Sequence, residues 1–330
     1  MINIINLARL SGGKLINEPS VSVVEGFAYK SESVKSKFAF IDINGDESEI
    51  QKAIELGAYA IIFSGDCEIQ NSEIALIKVA NLNQALSRLI VFFANSKNHK
   101  FVQTSLIQSE ILKLFSLPKN IFFLPKNLHE FLVLLTNNDN EKIFFCDNDE
   151  MCEKFNLNFL KIIPNPNYQI LILGSIFFSN FIFNEVYYQN LPLPRIFIDD
   201  FCGVVEFLEK ENLTYKIGDF RNLEHFEPIF VDRFFKICKF GDSYRAFICE
   251  RDEKLFVRCA NFLNSEFSQN IVIVTNWDND INGIQPDFRY NKLENLKNIK
   301  NFHYALVDCD KKSLLDMLNS QNIEKSLFLV

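Results

Sequence analysis

The sequence predicts an α/β protein, in which short apolar strands alternate with amphipathic helices. Residues 26–62 show this alternation most clearly. The apolar run at 38–41 stops at Asn44-Gly45, and apolar residues then recur at helical spacing over 50–57 before a second apolar run at 60–63. Hydrophobic residues make up 48% of the chain and charged residues 23%, which is typical of a globular protein rather than a disordered one.

The same alternation continues along the chain and predicts three domains, at residues 1–95, 96–235 and 236–330. The central one is a shortened α/β domain, and the last is a small Rossmann-like unit. The strands and helices predicted beyond residue 62 are strand 74–79, helix 81–93, helix 105–115, strand 121–124, helix 128–135, strands 142–146 and 169–173, a helix through 204–208, helix 253–263, strand 270–275, helix 311–318 and strand 325–330.

Charge and hydropathy argue against two classes of partner. The chain has a net charge of −8 and no basic block of five or more residues, so nothing favours nucleic acid, whose binding depends on Lys and Arg at phosphates. Its most apolar window, 169–183, is shorter than the roughly 20 residues of a membrane-spanning helix, and it predicts a buried strand and turn. The amino terminus lacks the basic and apolar regions of a signal peptide, so we expect a cytoplasmic protein.

The cysteines predict buried, reduced thiols rather than a disulfide framework or a zinc site. They are scattered, with no Cys-x-x-Cys pair, and the four histidines do not lie at ligand spacing. A zinc site assembled from distant residues is left open but has no support in the spacing. The eight cysteines are Cys67, Cys146, Cys152, Cys202, Cys238, Cys249, Cys259 and Cys309.

Three segments of the first 90 residues resemble the N-terminal domain of the Mur ligases. Residues 7–15 read Leu-Ala-Arg-Leu-Ser-Gly-Gly-Lys-Leu, residues 34–45 match a Val-x-x-Gly-x-x-Phe-x-Ala-x-x-Gly pattern in part, and residues 53–60 match Ala-Ile-x-x-Gly-Ala-x-Ala. The branch that adds D-Ala-D-Ala to UDP-MurNAc-tripeptide (MurF) is most similar, and the branch that adds diaminopimelate or lysine is second. The resemblance implies the three-domain Mur-ligase architecture.

One segment departs from that resemblance where the family binds ATP. The family has a strand that leads into Gly-x-x-Gly-Lys-Thr, whose backbone amides and lysine hold the phosphates. Residues 96–110 contain no glycine, and side chains there block close phosphate approach. Gly12-Gly13-Lys14 is not a substitute, because it follows a helix and lacks a Ser or Thr after the lysine. We therefore predict a degenerate homologue without the phosphate loop, without a cofactor and with no assignable catalytic residue.

The resemblance marks a few substrate-binding candidates. Ser31 keeps the serine of the family's Asp-Ser-Arg, and Gly45 ends the matched segment. Asp242, Ser243 and Tyr244 fall in residues 241–248, which match half of the family's Asp-Asp-Ser-Tyr-Asn-Ala-Asn-Pro motif. Acidic residues were also weighed as magnesium ligands, but such clusters are more typical of a solvated face or a helix start, so no metal is predicted. These acidic residues are Asp147, Asp149, Glu150, Asp199 and Asp200.

Three functions are open at this point. The first is a non-catalytic binding or scaffolding factor in peptidoglycan precursor synthesis, whose partner is a UDP-MurNAc-peptide or a protein of that process. The second is an active enzyme on a nucleotide-sugar or amino-acid substrate, with a rebuilt site in which Ser31, Ser175 and Asp242 converge on one cleft. The third is a structural subunit that exposes a large apolar patch.

Overall fold

The protein was analysed as a computed structural model, which describes residues 1–66, 69, 71–137, 140–155, 157–267 and 269–327, with the backbone alone for 321–327. Cys67 lies outside the described residues. The chain divides into two compact units, Met1–Ser109 with Leu117–Ile162, and Glu110–Ser116 with Ile163–Val330. The three domain boundaries inferred from the sequence stay predictions. None of the described helices is both long and apolar enough to cross a membrane.

The elements of the first unit include predicted strands and helices, and further ones, among them those at 100–103, 149–155 and 159–161, that the sequence analysis did not predict. They are β1 (Ile2–Asn3), α1 (Ile4–Ser11), β2 (Lys14–Leu15), β3 (Val23–Val24), β4 (Gly26–Ala28), β5 (Phe38–Ile41), α2 (Glu47–Glu55), β6 (Ala60–Ser64), β7 (Ala75–Val79), α3 (Leu82–Ser96), β8 (Lys100–Gln103), α4 (Leu106–Leu114, which continues into the second unit), β9 (Ile121–Phe123), α5 (Leu128–Thr136), β10 (Ile143–Cys146), α6 (Asp149–Phe155) and β11 (Phe159–Lys161).

The first sheet has the strand order β2-β7-β6-β5-β4, and its last four strands are parallel. Strands β5 and β6 are almost wholly buried because helices cover both faces, as is usual for parallel sheets. Gly57, with φ +97°, turns the chain from α2 into β6. These elements confirm the strand, helix and strand predicted over residues 38–63.

A second sheet in the same unit is entirely parallel, in the order β11-β8-β10-β9. Its core is aromatic: the Phe101 ring stacks on Phe144 at 5.5 Å between centroids, and Phe131 meets Phe144 edge-on at 5.6 Å. Phe27 of the first sheet and Phe155 belong to the same buried cluster. Phenylalanines therefore fill much of the interior here.

The second unit contains two further sheets. Its elements are β12 (Gln169–Ile170), β13 (Ser179–Phe183), β14 (Val186–Leu191), α7 (Ile198–Lys210), β15 (Glu227–Phe230), β16 (Ala246–Cys249), α8 (Glu253–Glu266), β17 (Ile271–Asn276), β18 (Phe288–Tyr290), β19 (Tyr304–Val307) and α9 (Lys311–Leu327).

The smaller sheet, β12-β13-β14, is antiparallel and corrects one prediction. Strand β13 alternates between buried and partly buried residues, as a strand with one face in the core does. Residues 169–173 were predicted as a buried strand, but only Gln169 and Ile170 form a strand. Leu171, Ile172 and Leu173 are 46%, 59% and 76% exposed. An apolar run alone cannot tell a buried strand from an uncovered one.

The larger sheet has the order β15-β16-β19-β17-β18, with only β15 antiparallel to its neighbour. Its central strands β16 and β19 are fully buried, and each is followed by a helix, α8 and α9 respectively. The carboxyl ends of β16 and β19 therefore meet at one edge. The closing strand predicted at 325–330 is wrong for 325–327, which continue α9, and residues 328–330 lie outside the described part.

Candidate functional site

The turn between β8 and α4 is short and closed by its own side chains. Ser105 donates its backbone N–H to Oε1 of Gln108 at 2.9 Å, and Gln108 donates its own N–H to Oγ of Ser105 at 3.1 Å. This reciprocal pair is a capping box of the Ser-x-x-Gln type. Thr104 donates its N–H to the Cys146 carbonyl of β10 at 2.8 Å. Several backbone donors at the start of α4 are thus already satisfied by the chain.

The side chain of Gln108 also anchors this turn to the sheet. Gln108 is 1% exposed, and its Nε2 donates to the carbonyl of Ile162 at 3.2 Å. The amide oxygen therefore accepts a hydrogen bond from the backbone of Ser105, and the amide nitrogen donates one to the backbone of Ile162. The segment is a strand, a turn and a helix, which is the order in which phosphate-binding loops occur.

Ser31 and Gly45 both follow strands at the carboxyl edge of the first sheet. Ser31 follows β4, Gly45 follows β5, and these two strands are parallel neighbours. Ser31 is fully buried and donates its N–H to Oε2 of Glu49 at 3.3 Å, and its hydrogen bonds hold the pKa of the Glu49 carboxyl below its ordinary value. Gly45 is exposed, with φ +70° and open space around it, and it donates its N–H to Oδ1 of Asp42 at 2.8 Å.

The second unit has a charged cavity of about 590 Å³ at the joint carboxyl end of β16 and β19. In open α/β sheets this edge is the usual place for a ligand. The cavity is lined by Glu224, His225, Glu227, Cys249, Glu250, Arg251, Asp252, Cys309, Asp310, Lys311, Lys312, Leu315, Asp316 and Asn319.

A buried histidine–carboxylate pair forms one wall of this cavity. His225 Nδ1 lies 3.0 Å from Oε2 of Glu250, whose side chain is only 2% exposed. Burial lowers the pKa of His225, but the hydrogen bond and the charge of Glu250 outweigh it, so the pKa is raised above the ordinary 6.5. Glu250 also accepts the N–H of Asp252 at 3.0 Å, which fixes the carboxylate.

Two further ion pairs connect the elements around the cavity. Lys311, at the start of α9, places its Nζ 2.5 Å from Oε1 of Glu227 on β15. Arg251 lies 3.7 Å from Asp310, whose carboxylate accepts the N–H of Ser313 and caps α9. Both signs of charge therefore line the cavity, an arrangement that suits a zwitterionic or mixed-charge ligand better than a purely anionic one.

A smaller apolar cavity of about 330 Å³ adjoins the charged one. The two share His225, Glu227, Lys311 and Leu315 in their walls, and the smaller one is otherwise lined mainly by aromatic side chains and prolines. The aromatic residues are Phe177, Phe178, Phe220, Phe226, Phe230 and Phe240.

The candidates Asp242, Ser243 and Tyr244 precede β16 and so lie at its amino end, not at the edge that carries the cavity. Ser243 Oγ donates to the Val231 carbonyl at 2.7 Å and accepts the N–H of Arg245 at 3.1 Å, which is the bonding of a turn residue. Asp242 is exposed, and Tyr244 is 68% exposed. Their role as binding residues stays a prediction.

The alternative constellation of Ser31, Ser175 and Asp242 is split between the two units, with Ser31 in the first and the other two in the second. Ser175 is half-buried, and its Oγ accepts the N–H of Phe177 at 3.2 Å, which orders the turn before β13. The convergence of these three residues on one cleft stays a prediction.

Two of the acidic residues that could serve as magnesium ligands have other contacts. Asp149 accepts a hydrogen bond from Gln103 Nε2 at 2.9 Å, and buried Asp200 pairs with Arg258 at 2.7 Å. Among the residues with described side chains, no group of three or more His, Cys, Asp or Glu is placed to hold a metal ion.

His225 and Glu250 were missed in the sequence, for different reasons. Glu250 carried a readable signal, because it opens the charged triplet 250–252 directly after the buried run of β16. His225 carried none, since it is 25 residues away in a segment without regular periodicity and reaches Glu250 only through the tertiary fold.

The fold is similar to that of solved Mur ligases. The structure of MurF ligase from Thermotoga maritima in complex with ADP matches with a TM-score of 0.50 at 12% identity, covering 92% of this chain and 99% of that chain. MurF from Acinetobacter baumannii matches with a TM-score of 0.47 at 12% identity, covering 98% of each chain. No protein-family model and no curated protein matches the sequence. A match at 12% identity is evidence about the fold alone. The match to the Thermotoga maritima structure confirms the predicted α/β fold class with a Mur-ligase-like architecture.

Proposed function

We propose that the chain is a non-ligating binding or scaffolding factor of cytoplasmic peptidoglycan precursor synthesis. The likeness of its fold to MurF ligases supports the process, and the closed turn before α4 supports the absence of ligation. The closed turn, with its capping box between Ser105 and Gln108, is the observation that carries the proposal.

Ligation by the Mur enzymes starts from ATP, and the transfer of a phosphoryl group depends on positioning and on stabilising negative charge. Backbone amides at a helix start supply that contact only when they are free and reachable. At α4 the amides of Ser105 and Gln108 bond to each other's side chains, and Gln108 is buried. A triphosphate would have to break this network before it could bind.

The rest of the molecule supports binding rather than chemistry on ATP. The edge with Ser31 and Gly45 is open at Gly45, and the mixed-charge cavity suits a peptide with amino and carboxyl groups. The exposed apolar residues 171–173 favour contact with a protein partner, because a run of this kind is unusual on a surface without one.

Isothermal titration calorimetry of the full chain with UDP-MurNAc-tripeptide, UDP-MurNAc-pentapeptide and Mg-ATP tests the proposal. We expect saturable heat with one UDP-MurNAc-peptide and none with Mg-ATP. Tight binding of Mg-ATP would contradict the proposal that the chain does not ligate. If no UDP-MurNAc-peptide binds, the binding role is wrong, and co-purification with a synthetic enzyme then tests the scaffolding role.

The second candidate is an enzyme with a rebuilt site, and the His225–Glu250 pair favours it. A histidine held by a buried carboxylate beside a cavity is a common general acid or base. Incubation with UDP-MurNAc-peptides and amino acids, followed by mass spectrometry, would reveal a product. Activity that is lost in Glu250→Gln would favour this candidate over the binding factor.

A further inference from the structure

We propose that Cys249 and Cys309 form an oxidisable dithiol, which a low-molecular-weight disulfide such as oxidised glutathione converts into a disulfide between β16 and the end of β19. The two Sγ atoms lie 3.7 Å apart, at van der Waals contact. The inference does not depend on the proposed function, because it concerns the thiols themselves.

The backbone brings these two cysteines together. Strands β16 and β19 are parallel neighbours, with Cys249 opposite Val307 in the register. Cys309 donates its N–H to the Val307 carbonyl at 2.9 Å. This tight turn keeps Cys309 close to the end of β19. A disulfide bond is 2.03–2.05 Å long, so the sulfurs need to approach by about 1.7 Å.

The charged cavity gives a small oxidant a route to the pair. Both cysteines line that cavity of about 590 Å³, although their side chains are largely buried. Cys202 and Cys259 are also buried, but they belong to the interior faces of α7 and α8 and to neither of the two cavities. The cavity therefore distinguishes Cys249 and Cys309 from these two thiols.

The exchange proceeds in two displacements. One cysteine thiolate attacks a sulfur of oxidised glutathione, its S–S bond breaks, and one glutathione leaves as a thiolate that takes up a proton. The second cysteine thiolate then attacks the mixed disulfide, and the second glutathione leaves. The two protein thiols are oxidised by two electrons, and one glutathione disulfide is reduced to two thiols.

The neighbours of the two cysteines link this bond to the cavity. Glu250, the partner of His225, directly follows Cys249, and Asp310, the cap of α9, directly follows Cys309. A disulfide would draw these two segments together and change the cavity wall. The contact with Cys309 and burial raise the pKa of Cys249, so we expect slow exchange at neutral pH.

Exposure of the native full chain to millimolar oxidised glutathione, followed by alkylation of the remaining thiols and peptide mass spectrometry, tests the proposal. We expect a cross-linked pair of peptides that contain Cys249 and Cys309, lighter by about 2 Da than the two reduced peptides and restored by dithiothreitol. Cys259→Ser should leave the yield unchanged, whereas Cys249→Ser should abolish the cross-link.

Three results would overturn the proposal: full alkylation of both cysteines after exposure, a stable mixed disulfide with glutathione that never closes, or a cross-link between Cys146 and Cys152 instead. The wild-type measurement stands by itself if Cys249→Ser does not fold. Because glutathione exchange is read without any cell-wall precursor, a negative result here leaves the proposed function untouched.

Discussion

The ends of strands β8 and β16 present the same local topology with opposite outcomes. Each is a strand with a parallel neighbour, followed by a turn and a helix. After β8 the backbone amides of Ser105 and Gln108 donate to each other's side chains in a capping box. After β16 the charged side chains of residues 250–252 line an open cavity. Fold alone therefore does not make a site. The two ends differ in space: the buried Gln108 side chain fills the turn after β8, whereas a cavity of about 590 Å³ lies at the end of β16.

The largest loss of stability is expected from removal of the Gln108 side chain, which closes the turn between β8 and α4. Gln108→Ala leaves the N–H of Ser105 and the carbonyl of Ile162 without their partners, so we expect a loss of about 2–3 kcal/mol in the free energy of unfolding. Urea denaturation measures this loss. Gln84→Ala, at an exposed position of α3, is the matched control and should change stability by less than about 0.5 kcal/mol. Equal effects of the two substitutions would refute the anchoring role of Gln108.

Loss of the Glu250 carboxylate, at the end of β16 that borders the charged cavity, should change how the free energy of unfolding depends on pH. The pKa of His225 is raised in the folded state, so its pairing with Glu250 stabilises the fold below about pH 6.5, and this stabilisation disappears as the pH rises through the folded pKa. In Glu250→Gln we expect the pKa of His225 to fall and about 1–2 kcal/mol of stability at pH 6 to be lost. Histidine NMR titration checks the pKa, and a value that does not move would contradict the pairing.

The smallest expected effects concern the amino end of β16. Ser243→Ala should cost about 1 kcal/mol, because its Oγ bonds to the backbone on both sides of a turn. Tyr244→Ala, at an exposed position, should cost less than about 0.5 kcal/mol. Thermal denaturation of both variants compares them. The reverse order of effects would show that Tyr244 has a structural role that its exposure conceals.

The sequence predicts part of the sheets: several apolar runs are strands, whereas β8, β16 and β19 are not among the predicted strands. The apolar runs at 38–41, 60–63 and 143–146 are buried strands, because helices on both faces demand continuous apolar residues. The run at 169–173 has the same appearance but lies largely exposed, since coverage depends on tertiary neighbours that no local pattern records. The strand predicted at 325–327 is also wrong, because these residues continue α9.

The candidate sites divide along the same line. The absence of glycine from residues 96–110 is visible in the sequence, and the spacing of Ser105 and Gln108 is that of a capping box. The His225–Glu250 pair joins distant segments and could not be found without the fold. Asp242, Ser243 and Tyr244 were selected by motif resemblance, which does not specify the end of the strand at which a motif falls.

The most direct test of the central claim follows the backbone amides of Ser105 and Gln108 by NMR while Mg-ATP is added to the intact protein. Their N–H groups bond to each other's side chains, so we expect their resonances to stay in place up to millimolar nucleotide and their hydrogen exchange to stay slow. Saturable shifts of these two amides at micromolar Mg-ATP would show that the turn opens to hold phosphate, and would contradict the account.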